Sequence, residues 1–163
     1  MATISKTKSA ERKIRKKICF ILEGKTDEVI LSHIFKNMFP ETDYNIVFSV
    51  GNGYSSLLSK VRPIIDSVPE ETKILVVYDS DTTNPRVAEE KMDLTKYLIN
   101  FKMYPKGRLG VFSFDPNIET IFPDENIVRH KGDVDYLVKA VDANFNSIKD
   151  QTTIKQMAQF IQA

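Results

Sequence analysis

Two unbroken apolar runs, Ile18-Cys19-Phe20-Ile21-Leu22 and Ile74-Leu75-Val76-Val77-Tyr78, constrain this chain more than any other feature. Each is short for a helix, rich in β-branched and aromatic residues and bounded by charged ones, the pattern of a strand covered on both faces. Such a strand needs helices above and below the sheet, and the intervening segments supply them. After the first run, Ile30, Ile34 and Met38 recur at a spacing of four until Phe39-Pro40, with Thr26 placed to cap the helix and Asp27 and Glu28 at its positive end. Tyr44 to Val50 reads as a second strand closed by Gly51-Asn52-Gly53. Leu57, Leu58, Val61, Ile64, Ile65 and Val68 then give a helix that Pro63 should kink or split. Val87 to Ile99 is a further helix, Leu109 to Phe114 a fourth strand, and helical patterns over 134–143 and 154–161 close the chain. This alternation predicts an α/β fold, Rossmann-like, with a mainly parallel four-stranded sheet, helices on both faces and extra C-terminal helices.

At 163 residues the chain has room for one domain, expected over 17–163 behind a basic arm over 1–16. A chain of that size buries roughly 70% of its unfolded surface, so it needs no staples. The single cysteine, Cys19, cannot form an internal disulfide and sits in an apolar run, which points to a buried thiol in the cytoplasm. Apolar stretches of about six residues fall well short of the ~20 that cross a bilayer. The formal charge of +1 conceals an asymmetry: Lys6, Lys8, Arg12, Lys13, Arg15, Lys16 and Lys17 face only Glu11 at the N-terminus, so the body is net acidic. The arm could contact phosphates, or be a solvated tail; no aromatic residues interleave with its lysines, as a single-strand stacking surface would require.

Parallel sheets of this kind bind ligands beyond the C-terminal ends of their strands. The residues leaving the strands are Glu23-Gly24, Gly51-Asn52-Gly53, Asp79-Ser80-Asp81 and Asp115-Pro116-Asn117-Ile118-Glu119. If Glu23, Asp79 and Asp81 converge, a pair ~4 Å apart would repel by about 4 kcal/mol at an effective dielectric of 20. A divalent cation would offset that, and an all-oxygen set without His or Cys suits Mg²⁺ or Mn²⁺. Taken singly, each acid also reads as an ordinary polar loop residue.

The segment Ile18 to Asp27, an apolar strand ending in Glu23-Gly24 with an acid four positions on, resembles the first motif of Toprim domains, and Ile74 to Asp81 resembles their Asp-x-Asp motif. The likeness covers roughly residues 17–120 and is strongest to the nuclease domain of OLD (overcoming lysogenization defect) proteins. It implies a Toprim-like fold in which Glu23, Asp27, Asp79, Asp81 and Glu119 are metal ligands, with Glu23, Asp79, Asp81 and Lys131 catalytic and Glu23 alternatively a general base. Lys131 would stand for a lysine near the end of the family's domain. The implied activity is Mg²⁺- or Mn²⁺-dependent cleavage of DNA or RNA. Asp27 departs from the family's usual Glu by one methylene. No Gly-x-x-x-x-Gly-Lys-Ser/Thr loop is present, so the ATPase half of an OLD protein is not expected in this chain and a separate ATPase or other protein could act with it.

Other readings stay open. Asp79-Ser80-Asp81-Thr82-Thr83 also fits the Asp-x-Asp-x-Thr of haloacid-dehalogenase-like phosphohydrolases, with Asp79 as nucleophile and Asp81 as acid/base, although that motif normally closes a first strand and here two βα units precede it. A non-catalytic binding or regulatory module with an ion-stabilised surface is the third. Gly24, Gly51 and Gly53 would serve tight turns or a close phosphate approach. Lys25 would neutralise phosphate or be solvated, His33 would pack in the first helix, and His130 would be exposed.

Overall fold

A computed structural model describes residues 14–53, 56–99 and 107–163. Most of the basic arm, residues 1–13, lies outside the described residues. The first strand, β1 (Lys16–Leu22), is followed by α1 (Lys25–Met38), β2 (Tyr44–Val50), α2 (Leu57–Ser67), β3 (Lys73–Asp79), α3 (Pro85–Ile99) and β4 (Leu109–Phe114). Two 3-10 turns, Ile118–Ile121 and Glu125–His130, lead to α4 (Val134–Ile148) and α5 (Thr152–Gln162). The four strands form one sheet in the order β2-β1-β3-β4, every neighbouring pair parallel. The fold is therefore α/β, with a Rossmann-like sheet.

The apolar runs are continuous because both faces of the sheet are covered. Ile18, Phe20 and Leu22 of β1 and Leu75 and Val77 of β3 pack against Ile30, Ile34 and Phe35 of α1, Leu137 and Val141 of α4 and Met157 and Ile161 of α5. The alternate residues Cys19, Ile21, Ile74, Val76 and Tyr78 face Leu57 and Val61 of α2 and Leu94 and Leu98 of α3. Burial pushes the Cys19 thiol up to about 11, so it behaves as a small apolar side chain rather than a nucleophile.

Several local features differ from the sequence reading. Thr26 does not cap α1: Gly24 is the cap residue, and the Thr26 hydroxyl instead donates to the Lys131 carbonyl at 3.0 Å. Gly24 itself has φ −155, ordinary extended backbone, so no sharp turn demands glycine there. Pro63 lies inside α2 without splitting it; Ser59, whose carbonyl loses its partner, and Pro63 are both exposed, leaving that carbonyl open to water. His33 is not merely packed, since its Nε2 lies 2.7 Å from Asp142 Oδ1 and so ties α1 to α4. No helix among the described residues is long and apolar enough to cross a membrane.

The strand order matters for function. The chain moves from β1 outward to β2, then returns across β1 to add β3 on the other side, so the connections diverge at the β1/β3 boundary and open a crevice there. The register pairs Leu22 with Val77, so Glu23 leaves β1 beside Tyr78, one position before Asp79 ends β3.

Phe20 is fully buried at the centre of this sheet, with ring centroids 4.9 Å from Phe48 and 5.2 Å from Phe35. Phe20→Ala should cost about 3–5 kcal/mol in urea unfolding, whereas Val47→Ala, at a 49% exposed position of β2, should change stability by less than about 0.5 kcal/mol.

Candidate functional site

Backbone hydrogen bonds lock the strand exits together. The turn after β2 folds back on β1, Gly51 N donating to Leu22 O and Gly53 N to Glu23 O, both at 2.9 Å. Gly53 has φ +89, and a Cβ on Gly51 would fall 2.1 Å from Ser56 Oγ, so the turn's own geometry requires both glycines. The β3 and β4 exits are joined by Ser80 N to Phe114 O at 2.8 Å and Asp81 N to Pro116 O at 2.9 Å. The Ser80 and Thr82 hydroxyls donate to Asp115 Oδ1 at 2.9 and 2.7 Å. Asp81 takes φ +52, a left-handed conformation uncommon for a residue with a Cβ and held here by its neighbours.

Within this frame the acids named from the sequence fall into two groups. Glu23, Asp27, Asp79 and Glu119 share one pocket at the β1/β3 crevice. The Asp79 backbone N–H donates weakly to Glu23 Oε2 at 3.4 Å, and Ile118 N donates to Asp79 Oδ1 at 2.8 Å, fixing the orientation of that carboxyl. Glu119 is buried, and its Oε1 pairs with Lys131 Nζ at 3.1 Å while Oε2 is buried without a hydrogen-bond partner. Asp81 is turned to one side of the pocket and joined to it through Lys91.

Lys91 is the residue that the sequence reading missed. It stands on α3 and is 2% exposed, with Nζ 2.6 Å from Glu23 Oε1, 2.5 Å from Asp81 Oδ2 and 2.6 Å from the Asp79 carbonyl oxygen. The Glu23 contact is ionic, as Oε1 receives no well-directed hydrogen bond. Burial works against the Lys91 charge, but the hydrogen bond to Asp81 and the carboxylate charges of Glu23 and Asp81 outweigh it and hold the ammonium above its ordinary pKa. Its sequence signal is positional. Val87, Lys91, Leu94 and Leu98 fall on one helical stripe, and a lysine on an apolar stripe has to find a buried carboxylate.

Lys91 offsets only part of the negative charge. Among the described residues no lysine or arginine comes within ion-pair distance of Asp27 or Asp79. Burial, followed by the charges of Glu23 and Glu119, pushes Asp27 up to about 7. Burial, followed by the charges of Asp27, Glu23 and Glu119, pushes Asp79 up to about 8. Glu23 is also raised, by burial working against the pull of Lys91. The oxygen-only donor chemistry and the two uncompensated acids fit a hard divalent cation. No group of three or more His, Cys, Asp or Glu among the described residues is yet disposed to hold a metal. The pocket therefore has the charge of a metal site without a closed ligand shell.

The remaining candidates lie outside it. Lys25 pairs with Glu28 at 3.3 Å on the exposed side of α1, and His130 stacks on Tyr136 with centroids 3.8 Å apart. Asp115, not singled out from the sequence as a site residue, acts as the acceptor that orders the loop after β3.

Comparison with protein-family models, curated proteins and solved structures returns no match to this chain.

The raised carboxyls make the metal-free protein sensitive to base. Asp27 and Asp79 hold their protons more tightly folded than unfolded, where a carboxyl titrates near ~4. Their contribution to stability is therefore full below about pH 4 and is lost as pH rises through the folded values of about 7 and about 8. In EDTA the Tm should fall between these limits, and Asp79→Asn should flatten the profile and raise the Tm on its alkaline side; a Tm rising with pH in the wild type would contradict this. Lys91→Ala should destabilise by about 3–5 kcal/mol in urea unfolding, because it strands Glu23 and Asp81 without their cation.

Proposed function

We propose that this chain is a divalent-metal-dependent nuclease module of Toprim type, hydrolysing phosphodiester bonds of DNA or RNA at the β1/β3 crevice. The observation that carries this reading is the convergence of Glu23, Asp27, Asp79 and Glu119 from separate elements onto one crevice, two of them, Asp27 and Asp79, without an ion-pair partner among the described residues. A fold gains nothing in stability from such crowding, and pockets where burial and like charges shift carboxyls this far are characteristic of chemistry.

In this reading Asp27, Asp79, Glu23 and Glu119 supply the oxygen ligands for Mg²⁺ or Mn²⁺, which when bound supplies charge stabilisation on the phosphate and an acidified water. Asp79 is presented by the Ile118 N–H, which fixes one of its oxygens. Lys91 holds Glu23 and Asp81 in place. Lys131, whose side chain is half exposed, is placed to move from Glu119 to a phosphate oxygen.

The lysine also bears on the alternatives. A phosphohydrolase using Asp81 as acid/base needs that carboxyl free to reach the leaving group, and here its Oδ2 is held by Lys91 Nζ at 2.5 Å. A non-catalytic module draws support from Lys91 as well, since the lysine already satisfies Glu23 and Asp81 without metal.

Supercoiled plasmid and structured RNA should be cleaved with Mg²⁺ or Mn²⁺ and not in EDTA. Asp79→Asn and Glu23→Gln should abolish cleavage, and Asp81→Asn, acting through Lys91, should reduce it about 10–100-fold. Equal cleavage by all four proteins would remove the catalytic assignment, and Mn²⁺ uptake without cleavage of either substrate would leave the binding module in its place.

A further inference from the structure

At the opposite end of the sheet, adjacent strands begin on cations. Lys16 and Lys17 open β1, Lys73 opens β3, and Arg108 immediately precedes β4, in a sheet whose order places β1, β3 and β4 side by side. Together with Arg15 they line a groove of about 460 Å³ in which Glu71 is the one acidic side chain lining the wall. Like charges on neighbouring strands oppose pairing, and here they are only partly answered. Lys17 meets Glu71 only at 3.9 Å, and Arg108 donates to a backbone carbonyl, that of Glu70. Lys73 donates to the carbonyls of Phe160 at 2.6 Å and Ile161 at 3.4 Å and to Ala163 O, which explains it as a brace for the end of α5. Burial, followed by the charges of Lys16 and Arg108, lowers its pKa.

We propose that this groove is a docking site for the phosphate backbone of a nucleic acid, separate from the acidic pocket by the length of the sheet. A seven-residue strand puts the two roughly 20 Å apart. The shape favours a chain-like polyanion. A membrane surface is best met by a protruding or flat patch with amphipathic or aromatic anchors, whereas these cations line a concavity. The sequence leading into it, with Lys6, Lys8, Arg12 and Lys13, repeats positive charge at short intervals, as a polymer of phosphates would require. Lys16, Lys17 and Lys73 sit on backbone-paired strand starts, and the Arg108 carbonyl accepts from Ile74 N at 2.7 Å, so these cations are presented at fixed spacing. Such contacts position a nucleic acid without reading its bases.

This proposal does not depend on the acidic pocket being catalytic. The test is fluorescence anisotropy of labelled single-stranded, duplex DNA and RNA oligonucleotides with the full chain in EDTA, over a range of salt, alongside co-sedimentation with phosphatidylserine vesicles. The doubly substituted Lys16→Gln/Lys17→Gln protein should bind at least one oligonucleotide class about 10-fold more weakly, with a salt slope shallower by about 0.7–0.9 for each lost contact. Arg108→Gln should weaken binding similarly and Arg108→Lys should restore it, which a merely structural role for the guanidinium would not do; melting curves identify any variant that has lost its fold, and Lys16→Gln alone, at an exposed position, then carries the comparison. Unchanged affinity in the groove variants, or binding to vesicles and to no oligonucleotide, would overturn the proposal even if plasmid cleavage is intact; loss of cleavage with binding preserved would instead bear on the pocket.

Discussion

The buried ammonium of Lys91 is the contact on which the functional end of the molecule depends. It reaches from α3 to the carboxyl of Glu23 at the end of β1, to the carbonyl of Asp79 at the end of β3 and to the carboxyl of Asp81 beyond it. One cation thus ties three elements at the place where the strand connections diverge. Removing an ion from water is costly, and the cost is recovered only when its donors are met by well-placed acceptors. Lys91 has such acceptors because Asp81 adopts a left-handed backbone and because Pro116 and Phe114 hold the loop after β3 against β4. The unusual conformation of Asp81 and the burial of Lys91 are two sides of one arrangement.

That arrangement leaves an imbalance. Lys91 and Lys131 answer Glu23, Asp81 and one oxygen of Glu119, while Asp27 and Asp79 lie among like charges without an ion pair among the described residues, Asp79 held by the Ile118 N–H and Asp27 eased by the Gly24 N–H and the more distant Lys131. A structural salt-bridge network would be expected to close its own ledger of charge, and this one does not. The residual negative potential is the physical ground for reading the crevice as a place where a doubly charged cation and a phosphodiester meet.

The molecule is also polarised along its strands. Acids gather where the parallel strands end and bases where they begin, although the formal charge of the whole chain is only +1. The parallel sheet makes this possible because all four strands run the same way and present all their first residues at one end and all their last residues at the other.

The strands were legible in the sequence for a simple reason. Val47 aside, their residues are at least half-buried in the interior positions, and continuous burial on both faces writes a continuous apolar run. The second and fourth strands were read with the bounds they have, and the first and third only short of their charged ends, because Lys16, Lys17, Lys73 and Asp79 look like loop residues until paired. The acids at the strand exits were legible too, since topology alone sends the ends of parallel strands to one side. What a linear reading could not supply was which of them share a pocket. Asp79 and Asp81 are two residues apart, yet a left-handed turn sends one into the cluster with Glu23, Asp27 and Glu119 and the other to Lys91. Lys91 itself, Thr26 bonded to the carbonyl of Lys131 rather than capping its own helix, and His33 reaching Asp142 are all contacts between residues remote in the chain or on different elements. Short-range pattern sets periodicity and burial because these follow from the covalent geometry of neighbouring residues. The pairing of charges depends on distances that exist only once the helices have packed onto the sheet.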